Sequence, residues 1–305
     1  MKLRHMIDAD WSGVADLICV STNYWYQVNR GFSIFANGPE SVRLFCEVYE
    51  ALDPGCCVLA EDETTGLLMG SCFYHPRPTH VSLGIMNVHP NYFGRGVARA
   101  LLDYIIDFAS GEDKPVRLVS SAMNLDSFSL YTKAGFVPRQ AFQDMMIAVP
   151  EGGLDFDVVG KDRVREARLD DVSAIVDLEK FVSGIDRTKD FEYFIRNEAG
   201  IWHTSVYEGA DGRIDGVLVS VNHPGSNMLG PGVMRSEAHV LPLVLAELNA
   251  NKGRSPVFLV PVNSPVVQAL YAWGARNCEV HFAQIKGKFQ AFNGVIMPTF
   301  MPETG

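Results

Sequence analysis

The chain has 305 residues, 47% of them hydrophobic and 20% charged, with a formal net charge of -10 and a pI near 5.3. That composition excludes disordered and fibrous classes, and an acidic chain offers no basic face for a nucleic acid, so no nucleic-acid partner is expected. The length suits two domains of roughly 150 residues each, and neither an N-terminal apolar core for secretion nor a run long enough to cross a bilayer is present, which predicts no membrane partner.

In chain order, a short strand over Lys2–His5 leads to a helix started by an aspartate, which runs into the aromatic-rich segment STNYWYQVNRGFSIF. CVLAED, the turn ETTG and LLMGSCFYH read as a hairpin. Residues 81–89, VSLGIMNVH, form a strand, with Val81, Leu83 and Ile85 on one side and Met86 and Val88 on the other, and Pro90 stops it. From Val97 the apolar residues follow a helical period through 98, 101, 102, 105 and 109, ending at Ser110-Gly111. VRLVSS is a strand, NLDSFSLYTKA a helix stopped by Gly135, and QDMMIAV a closing strand. This order predicts a mixed α/β unit.

The unit is repeated. LRHMIDADWSGVADL aligns with VREARLDDVSAIVDL, pairing Arg4 with Arg165 and Asp10 with Asp171. The hairpin around Gly70 matches the layout around Gly216, and NLDSFSLYTKAGF resembles NSPVVQALYAWGAR, pairing Tyr131 with Tyr271. Three matches in one order, with spacing that shrinks along the chain, predict two copies of one fold. The copies are read as residues 1–150 and 163–305, joined by a glycine- and charge-rich linker at 151–162.

Asn91 to Gly96 is a strand-to-helix turn, from which the first backbone N–H groups of the helix point outward. Gly94 and Gly96 permit positive φ and close approach of an anion, and the helix N-terminus adds partial positive charge. A diphosphate suits such a loop, whereas a dinucleotide or nucleoside-triphosphate loop would need a third glycine or Gly-Lys-Ser/Thr. Taken with its neighbours, VHPNYFGRGVARALL resembles the acetyl-CoA loop of the GNAT superfamily of N-acetyltransferases, and NLDSFSLYTKAGF resembles that family's second signature. The resemblance covers residues 1–150 directly. It implies two tandem GNAT-like domains of mixed α/β (α+β) class, each a central twisted mixed sheet flanked by helices. It also implies acetyl-CoA as cosubstrate, with the amides of Gly94, Arg95, Gly96, Val97 and Ala98 on the pyrophosphate and Asn87 and Val88 along the pantetheine arm. Asn91 departs from the Arg or Gln usual at its position, where the side chain braces the loop.

The same resemblance implies that Tyr131 protonates the departing thiolate, that Asn124 contacts the CoA arm, and that the Val88 amide holds the tetrahedral intermediate. Asn124 equally suits a helix N-cap, and Tyr131 could instead be a packed residue. The family often places an acid or histidine base on the strand before the loop, but the inward positions here are Ser82, Gly84 and Met86, and none can accept a proton. His80 and His89 are the nearest titratable groups, with His80 the candidate carried forward and a packing role the alternative. Tyr24, Trp25 and Phe32, with Tyr26, Phe35 and an arginine, suggest an acceptor pocket for an apolar or cationic small molecule, or else a helix packed on the sheet.

The six cysteines lie mostly in apolar contexts with neither metal spacing nor a disulfide framework, which predicts no metal and a cytoplasmic protein. In the second copy the stretch NMLGPGVMRSEAHVLPLVLAEL aligns with the ligand loop. Pro231 splits its glycines and removes an amide donor, so this copy is expected to bind CoA weakly or not at all. The leading function is acetyl transfer to a primary amine of a small molecule in a ternary complex. A non-catalytic acyl-CoA-binding module is the alternative.

Overall fold

The computed structural model of the chain describes residues 1–301, 303 and 304. They form two compact units, one of residues 1–76, 80–118, 300, 301 and 303, the other of residues 77–79, 119–299 and 304. Among the described residues no helix is long and apolar enough to cross a membrane.

The first unit opens with β1 (Lys2–His5) and the long helix α1 (Trp11–Arg30), followed by α2 (Pro39–Val42) and α3 (Leu44–Leu52). The hairpin predicted from sequence is β2 (Cys57–Glu61) and β3 (Leu68–Pro76), and next come β4 (Val81–Val88), α4 (Val97–Gly111) and β5 (Val116–Ser121). Antiparallel ladders join β1 to β2, β2 to β3 and β3 to β4, while β4 and β5 run parallel. Alternation along β3 sends Phe73 and His75 against Tyr49 of α3, and Tyr74 against Tyr104 and Phe108 of α4. Helices therefore cover both faces. Val14, Ile18, Tyr49 and Phe73 are buried on one face and Leu101, Leu102 and Ile105 on the other.

The close seat of α4 depends on Gly70. A Cβ there would lie 2.8 Å from both the Asn87 carbonyl oxygen and Val97 Cγ1, so a side chain at 70 would push the first turn of α4 off the sheet.

The second unit contains α5 (Leu125–Lys133), β6 (Val137–Met146), β7 (Val164–Glu166), α6 (Val172–Ser183), α7 (Thr188–Arg196), β8 (Trp202–Glu208) and β9 (Ile214–Val221). It continues with β10 (Met228–Met234), α8 (Val240–Ala250), β11 (Val257–Pro261), α9 (Val266–Ala272), β12 (Arg276–Lys286) and β13 (Val295–Met297). Strand β6 runs antiparallel between β11 and β12. The closing strand of the first repeat is thus held by two strands of the second, which is why the compact units divide after Leu118 while the sequence similarity divides at 151–162.

The repeat shows in matched polar networks. Arg4 grips Asp10 with two bonds of 2.6 and 2.8 Å and Glu61 with one of 2.7 Å. Arg165 grips Asp171 at 2.8 and 2.9 Å and Glu208 at 2.8 Å. In each case the aspartate also accepts the N–H three residues before it, from Ile7 or Arg168, and so fixes the entry into α1 or α6.

One sequence expectation is corrected. Gly230, Pro231 and Gly232 belong to β10 and not to a ligand loop. They sit at a bulge, where the pairing of β10 with β9 shifts between Leu229 and Gly232. The turn into α8 is residues 235–239, which contain no glycine. Proline is tolerated because it stands at a bulge, where a ladder hydrogen bond is missing anyway.

Candidate functional site

Strand β4 and helix α4 build the site from two departures from regular structure. The first is where β4 and β5 part. Their ladder comprises Val81 with Val116 and Ser82 with Arg117, and beyond Ser82 the edge of β4 leaves β5. A bulge between β3 and β4, where the register shifts between Cys72 and Tyr74, falls at the same level and adds to the local twist.

The second is the turn into α4. Gly94 and Gly96 have φ of +74° and +78°, in the left-handed region that side chains avoid, and a Cβ at either would meet open space. Gly96 is the N-cap of α4 and no side chain caps the helix. Among the described residues, the amides of Gly94, Gly96, Val97, Ala98 and Arg99 have no hydrogen-bond acceptor. The Arg95 amide differs from the expectation, since it turns back to the Tyr92 carbonyl at 3.4 Å. The Arg95 guanidinium lies over the Tyr92 ring at 5.3 Å. Converging amides at a helix start, with its dipole behind them, can hold an anion.

His89 fastens this turn. Its N–H donates to the Met69 carbonyl at 2.9 Å, and its Nδ1 accepts the Asn91 N–H at 3.2 Å. With that nitrogen engaged in the loop backbone, His89 acts as a brace.

The other sequence-predicted residues fall in different places. Asn87 is buried on β4 and its Nδ2 donates to Ser21 Oγ at 2.7 Å and Thr22 Oγ1 at 3.2 Å, so it ties β4 to α1. Val88, opposite Gly70, is half-buried at the strand end. Tyr24 and Phe32 are each 46% exposed. Tyr24 meets Phe93 of the loop edge-on at 6.0 Å, Trp25 meets Tyr26 at 5.0 Å, and Arg30 lies 5.8 Å over Phe32. His80 is fully buried, just before β4, at the end of the strand away from the loop.

In the second unit, Asn124 is the N-cap of α5, its Oδ1 accepting the Ser127 N–H at 3.1 Å. Tyr131 is buried on α5, with its ring edge-on to Phe136 at 5.8 Å. The counterpart of the open edge of β4 is filled there, because β13 pairs antiparallel with β10 from Gly232 to Met234. A strand of the chain itself occupies the groove, and the loop lacks glycine.

Two clusters escaped the sequence reading. In the first unit His75 Nδ1 is 2.7 Å from Asp53 Oδ2, with both side chains almost wholly buried. In the second, Asp144, Glu279 and His281 present ligand atoms within 4.8 Å of one another, a set able to hold a metal ion. His281 Nδ1 is bonded to Asp144 Oδ1 at 2.9 Å, Ser121 donates to Glu279, and burial pushes the Asp144 carboxyl above its ordinary range. Each cluster is completed by a residue distant in the chain, Asp53 for His75 and Asp144 for Glu279 and His281, and that partnership leaves no local signal.

Comparison with known proteins agrees with this geometry. Residues 22–136 match the acetyltransferase (GNAT) family. A curated relative, the UPF0157 protein YqkA of Bacillus subtilis, is 32% identical over 87 residues, which are 28% of this chain and a quarter of that protein's length. A putative acetyltransferase from Pyrococcus horikoshii superposes with a TM-score of 0.72 at 16% identity, covering 99% of this chain and 95% of that one. A tandem GNAT protein from the clavulanic acid biosynthesis pathway gives a TM-score of 0.61 at 14% identity, covering 93% and 97%. At such identities the likeness is one of fold. Residues 22–136 thus match the acetyltransferase (GNAT) family model, and the whole chain shares the mixed α/β fold of these solved proteins.

Proposed function

We propose that the first repeat binds acetyl-CoA and transfers its acetyl group to a primary amine of a small molecule, while the second repeat does not bind the cosubstrate. The observation that carries this reading is the set of amides without acceptors at the start of α4, beside a β4 edge that has left β5. A pyrophosphate meets the amides, and the amide-bearing pantetheine arm extends along the edge as an added strand would. The half-exposed Tyr24, close to the loop through Phe93, and Phe32 under the Arg30 guanidinium support an apolar or cationic acceptor.

In the proposed reaction the neutral amine attacks the thioester carbonyl and the sulfur departs with the bonding electron pair. The test is calorimetric titration with acetyl-CoA, followed by detection of CoA release against a panel of primary amines. Gly96→Glu adds a negative charge and about 1–2 kcal/mol of left-handed backbone strain at the amide cluster. It is expected to abolish binding. Unchanged affinity in this variant overturns the reading, and tight binding without CoA release across the panel reduces it to an acyl-CoA-binding module.

A further inference from the structure

On the face covered by α1 and α3, strand β4 carries no side chain able to accept a proton, yet the structure brings one to it. On the face of the first unit covered by α1 and α3, β4 presents Ser82, Gly84 and, past the bulge, Asn87, which bonds to α1. The gap above Gly84 is filled from β3. A Cβ on Gly84 would lie 2.9 Å from His75 Nε2 and 2.9 Å from the Phe73 carbonyl oxygen. His75 thus places its second ring nitrogen where a β4 side chain would begin.

The other nitrogen is already committed. Nδ1 is 2.7 Å from Asp53 Oδ2, just beyond α3, and Tyr49 meets the ring edge-on at 4.6 Å. A carboxylate accepts the Nδ1 proton, which fixes the tautomer, leaves Nε2 with the lone pair and stabilises the imidazolium once a proton arrives. Burying an acid with a histidine is a costly way to stabilise a sheet, and a glycine inside a strand weakens it further. Both features make sense if Nε2 must be reached from β4. Gly84 also lies just past Ser82, where β4 parts from β5, so Nε2 abuts the strand at the place where the acyl arm is expected to enter.

We propose that His75, oriented by Asp53, is the general base of the acetyl transfer. This rests on the acetyltransferase reading above. The nitrogen–carbon bond forms as the amine attacks, and the carbon–sulfur bond breaks with its electron pair leaving on sulfur. The surplus proton on the amine nitrogen passes to His75 Nε2 and returns to solvent after the products depart. The charged and titratable groups around the imidazole are Asp53, Tyr49 on α3, Arg117 in register with Ser82 on β5, and His80 on the same alternation of β4.

Two measurements test this. Nitrogen-15 spectra of the imidazoles, assigned by comparing the full-length protein with His75→Gln, report which ring nitrogen carries the proton. A resting Nδ1–H tautomer is expected, and an Nε2–H tautomer overturns the proposal whether or not any amine is turned over. The second is CoA release from acetyl-CoA, with phenethylamine and n-butylamine as probes, across pH 5.5 to 9.5. His75→Gln should lower kcat at least 30-fold and erase the acidic limb of the profile while leaving acetyl-CoA affinity within threefold. Asp53→Asn should lower kcat about 10-fold with the limb moved to lower pH. If His75→Gln binds acetyl-CoA normally and keeps both the limb and its kcat, His75 is not the base. If the unmodified protein releases no CoA with any amine, the acetyltransferase reading fails, and the proton position on His75 still decides whether the ring is set up to accept.

Discussion

Gly70 on β3 and Val97 on α4 approach so closely that a Cβ on the glycine would lie 2.8 Å from Val97 Cγ1. This contact sets the height of the first helical turn above the sheet, and with it the position of the amides that open the turn. Gly70→Ala is expected to destabilise the protein by about 1–3 kcal/mol through overpacking. Because the displaced element is the amide cluster, acetyl-CoA affinity should also fall about 10-fold. A variant that loses stability but keeps full affinity would show that the turn moves independently of the helix.

The paired arginine–aspartate networks predict a specific acid response. The Arg4 guanidinium holds the Asp10 carboxyl below its ordinary range, and Arg165 does the same for Asp171. A depressed carboxyl pKa contributes stability that is present above the unfolded value, near 3.8, and is lost as pH falls through the lower folded value. Asp10→Asn and Asp171→Asn should each cost about 2 kcal/mol at pH 7. In chemical denaturation the gap from the unmodified protein should narrow as pH falls below 3.8, and a gap that does not narrow there contradicts the assignment.

A histidine in the second unit acts in the opposite sense. His203 Nδ1 lies 3.0 Å from Glu247 Oε1, and the buried Glu247 carboxylate raises the histidine pKa above its usual 6.5. A raised value contributes stability that is complete below about 6.5 and disappears as pH climbs through the folded pKa. The melting temperature of the unmodified protein should exceed that of His203→Gln at pH 6 and approach it at pH 9. Equal differences at both pH values would mean that packing, not charge, is what the substitution removes.

Strand β13 fixes the expected stoichiometry. It pairs with β10 along the edge that corresponds to the open edge of β4, and the adjoining turn has no glycine. Titration with acetyl-CoA should therefore saturate at one equivalent per chain. Two equivalents of similar affinity would require β13 to leave its place.

Much of this architecture was legible in the sequence because it is local. The period of the apolar residues marked α4, Pro90 and the glycine pair marked the turn, and the Arg4–Asp10 spacing reappearing as Arg165–Asp171 exposed the duplication. Pro231 misled because a proline between glycines reads as a loop, whereas a bulge lets a strand contain it. What connects strands across space stayed hidden. Neither the placement of β6 between β11 and β12, nor β13 beside β10, nor His75 over Gly84 follows from any pattern of neighbours along the chain. Asn87 shows the middle case. Its position on β4 was readable, but its bonds to Ser21 and Thr22 were not.

The insertion of β6 between β11 and β12 carries a consequence for how such a molecule can change over time. A chain cut near residue 150 would leave β6 with two bare edges, each a row of backbone groups inviting adhesion to any other strand, and would leave a vacant slot in the remainder. Separating the two repeats would therefore break two ladders at once, so neither can be lost without exposing strand edges in the other.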